Sequence, residues 1–145
     1  MANTWKFDHM VMIVKDIDET FNKYKAEGLD VFLKPVRGDM KECKFHGKTP
    51  ETTIRYKIAY LQKGPFLLKL VQPVEGKSPY QEYLDNQGEG IGHLHFCVED
   101  LEKEKEEMKK NQIEMIFEVD HATHKEAHFD TRKYMNMITE LRQGF

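Results

Sequence analysis

The feature that most constrains this chain is a segment that recurs, in chemical type, 84 positions further on (93 − 9). Residues 9–18 read HMVMIVKDID, and residues 93–102 read HLHFCVEDLE. The match continues without a gap to residues 31–32 against residues 115–116. A period this long indicates one duplicated module, with too few copies for a solenoid. Each copy predicts a strand, a helix and a second strand, with a histidine at one fixed place. Two such units suggest two half-sites that face each other.

Bulk properties fit one globular domain. The 145 residues are enough for a hydrophobic core, and the net charge of −3 gives no electrostatic basis for binding nucleic acid. We expect no membrane span, because no apolar run is long enough, and a cytosolic location, because the start lacks an apolar signal core. Cys43 and Cys97 lack a C-x-x-C spacing, so we predict a buried Cys97 and a free surface thiol at Cys43.

The first module, about residues 5–73, reads as a strand, a helix and three further strand-forming segments. Asp16 predicts a helix N-cap, with Glu19 completing a capping box, and Gly28 predicts the helix end. Lys63-Gly64 predicts a tight hairpin. The predicted elements are a strand at 7–14, a helix at 17–27, a strand at 29–36 that ends near Pro35, a polar loop at 37–52, and strands at 53–62 and 65–72.

A linker at about residues 74–90, with a short helix from Pro79 to Asn86, leads to the second module at about 91–145. Asp100 predicts the N-cap of its helix. Its predicted elements are a strand at 92–98, a helix at 101–110, a strand at 113–119, a loop that holds His121 and His124, and strands near 127–130 and 134–142.

Strand alternation then singles out four polar side chains. The first strand of each module carries a histidine, His9 or His93, and the last strand of each carries a charged residue, Lys69 or Glu140. An unpaired charge buried in a sheet is costly, so Lys69 and Glu140 need partners or water. If the two modules line one cavity, two imidazoles and a carboxylate converge there. That set suits a divalent metal and also matches the facial triad of non-haem iron oxygenases.

At these residues the chain resembles the vicinal oxygen chelate superfamily (glyoxalase, methylmalonyl-CoA epimerase, bleomycin resistance and dioxygenase proteins), and most closely its epimerase-like branch. The phrases that carry the resemblance are FDHMVMIVKD at 7–16, LLKLVQPVEG at 67–76, GIGHLHFCVED at 90–100 and ITEL at 138–141. The resemblance implies an α+β fold of two tandem βαβββ modules that form an open, curved, eight-stranded half-barrel cleft. It also implies a homodimer that binds a small-molecule substrate.

The resemblance further implies that His9, His93 and Glu140 bind a divalent metal such as Zn, Ni, Co, Mn or Fe. Relatives have Glu or Gln where this chain has Lys69, and an ammonium has no lone pair for a metal. Three outcomes are open. The ammonium replaces the metal by pairing with Glu140, it swings out of the cleft on its flexible stem, or a lowered pKa makes it a neutral base or ligand.

Three functions follow from the resemblance. The first is a lyase, isomerase or epimerase that acts through an enolate, with Glu140, Lys69 and Glu51 as catalytic residues. The second is a small-molecule binding protein of the antibiotic-sequestering type, and the third is an Fe(II)-dependent dioxygenase. Several further side chains near these elements have roles that the sequence leaves open. His95 is either a second layer around the site or a packed core histidine. Arg55 and Lys57 either attract an acidic substrate or form a solvated sheet face, and Tyr80, Tyr83 and Tyr134 either border the cleft or only cover the sheet. The spacing of His121, His124 and His128 argues against a zinc site.

Overall fold

The computed structural model describes residues 4–40 and 42–144. The first module contains a helix and five strands: β1 (Lys6–Ile13), α1 (Ile17–Ala26), β2 (Asp30–Met40), β3 (Cys43–Phe45), β4 (Ile54–Lys63) and β5 (Phe66–Glu75). The linker helix is α2 (Pro79–Gln87). The second module contains β6 (Gly90–Val98), α3 (Leu101–Lys110), β7 (Met115–His121), β8 (His124–Phe129), α4 (Arg132–Met135) and β9 (Ile138–Gln143).

The local signals read from the sequence form as predicted. The Asp16 side chain accepts a hydrogen bond from the Glu19 backbone N–H, and Asp100 does the same for Lys103, so both module helices begin at a capped residue. Gly64 has a φ of 56°, which allows the tight turn between β4 and β5. Ile17 and Phe21 of α1, and Leu101 and Met108 of α3, are buried against the sheet.

All nine strands form one sheet, in the order β2-β4-β5-β1-β6-β9-β8-β7-β3. The sheet curls into an open half-barrel with helices, which confirms the predicted fold class with one strand more than the predicted eight. The extra strand is β3, within the segment predicted as a loop, and it pairs with β7 of the second module (Cys43 with Val119). Lys41, in the same segment, lies outside the described residues.

This ninth strand brings the two edges of the sheet together at one corner. β2 and β3 lie at opposite ends of the strand order, yet only two residues separate Met40 from Cys43 in the chain. Three peptide steps span at most about 10 Å, so the edges must approach each other there. Met40 and Cys43 pack with Ile54 and Phe117 in one apolar cluster. Cys43 is therefore buried, and its prediction as a surface thiol was wrong.

Several strand boundaries also differ from the prediction. β7 extends to His121 and β8 begins at His124, so these two histidines lie in strands and not in the predicted loop. β2 continues through Pro35 to Met40, because β2 is an edge strand that pairs with β4 alone and its register shifts between Leu33 and Val36. Proline is tolerated at edges and bulges of this kind. The last strand begins at Ile138, since residues 132–135 form the single turn α4 and Asn136 adopts a left-handed conformation with φ 59°. No described helix is both long and apolar enough to cross a membrane.

The register between the modules shows approximate two-fold symmetry about the Met10–Leu94 pair of the antiparallel strands β1 and β6. On one side of this pair, His9 faces His95, and on the other side Val11 faces His93. The symmetry extends to the neighbouring strands. Lys69 lies beside Val11 in the parallel pair of β1 and β5, and Glu140 lies beside His95 in the parallel pair of β6 and β9. The four residues predicted from the repeat thus occupy related places.

Candidate functional site

The concave side of the sheet holds a cavity of about 410 Å³ between the two modules. His9 and Lys69 line it from the first module, and His95, Glu126 and Arg142 line it from the second. His93 and Glu140 are not among the lining residues; they lie deeper, with only 1% and 0% of their surfaces exposed. The cleft predicted between the modules therefore exists. His9 and Lys69 of the first module line it, whereas His93 and Glu140 of the second module are buried below its surface.

His9 is held by its sequence neighbour and by a second imidazole. The register of β1 against β6 shifts between Phe7 and His9, so Asp8 is an extra residue at a bulge. Asp8 Oδ2 lies 2.6 Å from His9 Nδ1, which must donate because a carboxylate only accepts. The His9 ring stacks on that of His95, with centroids 4.3 Å apart. Burial and the neighbouring His95 lower the pKa of His9 to about 4, so its imidazole is neutral at pH 7.

His95 contacts two carboxylates through one ring nitrogen. Its Nδ1 lies 3.1 Å from Glu140 Oε2 and 3.3 Å from Glu126 Oε1, so the Nδ1 proton points towards both. Its other nitrogen, Nε2, is buried and has no hydrogen-bond partner among the described residues, and the same holds for Nε2 of His9. Both rings thus keep a free lone pair on Nε2.

Glu140 lies at the centre of the buried polar network in the second module. Its Oε1 accepts from His93 Nδ1 at 2.6 Å and from the Tyr80 hydroxyl at 3.4 Å, while Oε2 accepts from His95. Burial alone raises the pKa of the Glu140 carboxyl, but the His128 charge and these imidazole hydrogen bonds hold that pKa well below its usual range. Glu140 is therefore ionised, and each of its carboxylate oxygens already accepts a hydrogen bond from an imidazole.

His128 lies between the two buried carboxylates. Its Nε2 is 3.7 Å from Glu140 Oε1 and 3.9 Å from Glu126 Oε2. Burial alone lowers the pKa of His128, yet the charges of Glu140 and Glu126 outweigh this effect and raise it. Burial likewise raises the pKa of Glu126, but the hydrogen bond from His124 and the nearby His128 imidazole hold that pKa far below its usual range. The two carboxylates that flank His128 thus favour its charged form.

Lys69 lies in the first-module half of the cavity. It is half-buried, and its Nζ lies 5.9 Å from the centroid of the Tyr60 ring. Within residues 4–40 and 42–144, no carboxylate oxygen lies within 4.0 Å of that Nζ. Burial alone lowers the pKa of the Lys69 ammonium. The charges of Tyr60, Glu140 and Glu126 outweigh burial and raise that pKa above its usual value.

These observations decide among the three outcomes stated for Lys69. The direct pair with Glu140 is not formed, since the imidazoles occupy that carboxylate. The side chain does not leave the cleft, because it lines the cavity. The amine is not neutral, because its pKa is raised. The ammonium instead shares the cleft with Glu126 and balances, at longer range, the negative charges of Glu126 and Glu140.

Helix α2 covers the second-module half of the cleft. The Tyr80 ring, 1% exposed, stacks on His93 with centroids 5.5 Å apart, and the Tyr83 ring meets His93 edge-on at 6.2 Å. A Cβ on Gly92 would lie 2.3 Å from Tyr83 Cε2, so glycine at this position allows the helix to approach β6. The linker helix thus encloses His93 and Glu140.

The other predicted side chains lie elsewhere. Glu51 lines a separate cavity of about 430 Å³ that shares Met40 with the cleft, and its catalytic role stays a prediction. Arg55 pairs with Glu75, and Lys57 lies 3.8 Å from Asp18, so both have carboxylate partners. Tyr134 is 64% exposed.

Three residues of the site were not predicted from the sequence: Asp8, Glu126 and His128. Asp8 directly precedes His9, and a strand bulge that turns two successive side chains to one face has no sequence signal here. Glu126 and His128 alternate correctly on β8, but their contact with Glu140 follows from the pairing of β8 with β9, in which His128 faces Glu140.

The imidazoles of the cleft have the hydrogen-bond partners that are typical of metal-binding histidines. Metal-binding histidines usually donate the second ring N–H to a carboxylate, as His9 does to Asp8 and as His95 does to Glu140. Their free, buried Nε2 atoms are suitable metal donors, so the chemistry of the cleft fits such an ion. The predicted ligand set of His9, His93 and Glu140 stays a prediction.

Comparisons with known proteins agree with this fold. Residues 8–131 match the family model of the Glyoxalase/Bleomycin resistance protein/Dioxygenase superfamily. Over 71 residues the chain is 25% identical to the uncharacterized protein YqjC of Bacillus subtilis (strain 168), a match that spans 49% of this chain and 50% of that protein.

Solved structures with the same fold include a hypothetical protein and a methylmalonyl-CoA epimerase. A hypothetical protein from Bacillus halodurans superposes with a TM-score of 0.67 at 23% identity, over 98% of this chain and 96% of that one. A methylmalonyl-CoA epimerase in complex with methylmalonyl-CoA and NH4+ superposes with a TM-score of 0.63 at 18% identity, over 97% of this chain and 94% of that one. The family match covers most of the chain, and this protein therefore belongs to the Glyoxalase/Bleomycin resistance protein/Dioxygenase superfamily.

Proposed function

We propose that this protein catalyses a lyase, isomerase or epimerase reaction on a small, anionic, enolisable substrate, with the Lys69 ammonium stabilising the enolate oxygen. The observation that supports this proposal is that Lys69 remains a cation in the cleft without a carboxylate within 4.0 Å, among the residues the structure describes. An ammonium in a partly enclosed cavity stabilises negative charge that develops on a substrate oxygen.

The reaction begins when a base removes the proton from the carbon next to the substrate carbonyl. The C–H electrons move to the carbonyl oxygen, which becomes negative and is neutralised by Lys69. Return of a proton to the opposite face gives the epimer, and return to the neighbouring carbon gives the isomer. We propose that Glu140 acts in this proton transfer through His95, whose Nδ1 it contacts at 3.1 Å and whose ring lines the cavity. Glu51 is the second acid/base candidate.

The relatives support the substrate class. One methylmalonyl-CoA epimerase of this fold was solved with methylmalonyl-CoA and NH4+, so an ammonium ion and an enolisable thioester occur together in that protein. Lys69 would supply a tethered ammonium. A divalent metal, when bound to imidazole nitrogens of the cleft, would polarise the same substrate oxygens as a Lewis acid.

The test is exchange of the substrate α-proton in D₂O, followed by NMR. Methylmalonyl-CoA and the methylglyoxal–glutathione adduct serve as substrates, because each carries an acidic C–H next to a carbonyl. Lys69→Met should lower the exchange rate about 100-fold or more, the range for loss of one charge-stabilising group. Lys57→Met removes a lysine that already lies near Asp18, and should leave the rate unchanged. Equal rates for wild type and Lys69→Met would exclude the proposed role.

A binding protein without catalysis is the second candidate, and one observation favours it. Phe32 is 62% exposed and meets the cleft residue Tyr60 edge-on at 6.1 Å, so an aromatic surface extends out of the cavity. Such a surface suits a planar apolar ligand. Tight binding of an aromatic antibiotic by calorimetry, together with no exchange of either substrate, would favour this function.

We also propose that the protein forms a homodimer. β2 is an edge strand whose far side has no partner among residues 4–40 and 42–144, and its Val36 is 42% exposed. A second copy could cover such an edge. Sedimentation equilibrium at micromolar concentration distinguishes a dimer from a monomer.

A further inference from the structure

We propose that His9 and His95, through their Nε2 atoms, are the imidazole ligands of a divalent-metal site, in place of His9 and His93 as the repeat predicts, and that Lys69 keeps its affinity low. Metal binding by these two imidazoles is independent of the proposed reaction, because it needs no substrate.

The strand register brings this pair together. His9 faces His95 directly across β1 and β6, and the rings stack 4.3 Å apart at an interplanar angle of 17°. His93 faces Val11 instead. Two imidazoles on adjacent strands at this separation are close enough to share one ion once their rings rotate so that the two lone pairs converge. One possible donor atom from each of Asp8, His9 and His95 lies within 4.8 Å of the other two.

The protonation pattern leaves both lone pairs available. The Nδ1–H of His9 is directed to Asp8, and that of His95 is directed to Glu140 and Glu126. Each Nε2 is then an acceptor, and each is buried with no partner among the described residues. His9 and His95 are 4% and 3% exposed, and both line the cavity. A buried lone pair without a partner is costly, and a metal ion would satisfy two of them at once.

His93 is placed differently. Its Nδ1 is held 2.6 Å from Glu140 Oε1, its ring lies beneath Tyr80, and it is not among the residues that line the large cavity. His93, Glu140 and His128 also form a cluster of possible ligands, but all three are buried behind α2. His93 lines only a small pocket of about 20 Å³ beside α2, whereas His9 and His95 line the cleft of about 410 Å³.

The donors define the class of ion. Neutral imidazole nitrogens suit Zn²⁺, Co²⁺ and Ni²⁺ better than Mg²⁺ or Ca²⁺. Asp8 is available as a nearby carboxylate, and the cavity can supply water or substrate oxygens to the remaining positions. Lys69 is a cation in the same cavity, so it opposes a second positive charge there. Replacement by a neutral side chain of similar length should therefore increase metal affinity.

The experiment titrates Co²⁺ into the full chain after chelator treatment, with Co²⁺ absorption and calorimetry as readouts. Lys69→Met should bind one Co²⁺ per chain about tenfold more tightly than wild type, or better. In the Lys69→Met background, His9→Gln and His95→Gln should each weaken binding about tenfold or more. His93→Gln is the matched control, because His93 is also buried and bonded to Glu140, and its Kd should stay within about threefold.

If His9→Gln or His95→Gln does not fold, a second measurement that keeps all three histidines tests the assignment. When Zn²⁺ is titrated into the ¹⁵N-labelled Lys69→Met variant, the Nε2 resonances of His9 and His95 should shift, and that of His93 should not. A Kd that responds to His93→Gln and ignores His95→Gln would overturn the assignment, as would a Lys69→Met variant that binds no Co²⁺. Neither result bears on the α-proton exchange, which is measured with substrate and without added metal.

Discussion

His9 lies directly opposite His95 across the β1–β6 pair, and the two imidazoles stack with centroids 4.3 Å apart. The symmetry-related pair is Val11 opposite His93. The second module therefore carries an imidazole where the first carries a valine, and a carboxylate, Glu140, where the first carries Lys69. These two differences concentrate the polar network in the second module and leave a cation in the first.

Acid should destabilise the protein through His9. The pKa of His9 falls from an ordinary 6.5 to about 4 in the folded state, so the unfolded chain binds this proton more tightly. Stability is unaffected by this group above pH 6.5 and is lost as the pH falls from 6.5 towards 4, by up to about 3 kcal/mol. Urea unfolding between pH 4.5 and 8 measures the loss, and His9→Gln should show a shallower dependence in that window. An NMR titration that gives His9 a pKa near 6.5 would contradict this expectation.

Tyr80→Phe should destabilise the protein by about 1 kcal/mol, because it removes the hydroxyl that donates to the buried Glu140 carboxylate. Thermal and urea unfolding measure the change. Tyr83→Phe is the control: its ring also contacts His93, but no side-chain hydrogen bond of its hydroxyl is found within the described residues. Equal losses in the two variants would indicate that the contact with Glu140 contributes little.

Glu140→Gln should cost about 3 kcal/mol, because it leaves His128 without one of its two counter-charges and presents an amide N–H₂ to imidazole donors. The comparison is Glu114→Gln, whose exposed carboxylate contacts His46 on the surface. That change should cost less than about 1 kcal/mol. A Glu140→Gln variant as stable as wild type would mean that the buried charges are compensated by another route.

Gly92→Ala should destabilise the protein by about 1–3 kcal/mol, since the new Cβ would lie 2.3 Å from Tyr83 and force α2 away from β6. The double variant Gly92→Ala/Tyr83→Leu should recover part of this loss, because leucine leaves room for the methyl group. Gly90→Ala is a milder control, with its Cβ 3.2 Å from the Tyr83 hydroxyl oxygen. If the double variant recovers no stability, the destabilisation does not come from contact between the new methyl group and Tyr83.

Local signals in the sequence predict the elements that depend on neighbouring residues. Asp16 and Asp100 cap their helices, and Gly64 makes the turn, because these contacts span only a few residues. The errors fall where distant parts of the chain meet. β3 forms only because β7 offers it an edge, and the same contact buries Cys43.

The sequence by itself determined two related modules, each with a histidine on its first strand and a charged residue on its last strand. It could do so because duplication and strand alternation are periodic properties of the chain. Only the tertiary structure decided which of those residues touch. The antiparallel register places His9 on His95 and not on His93, and the β8–β9 pairing places His128 beside Glu140. Register depends on hydrogen bonds between strands far apart in sequence, and no local pattern encodes it.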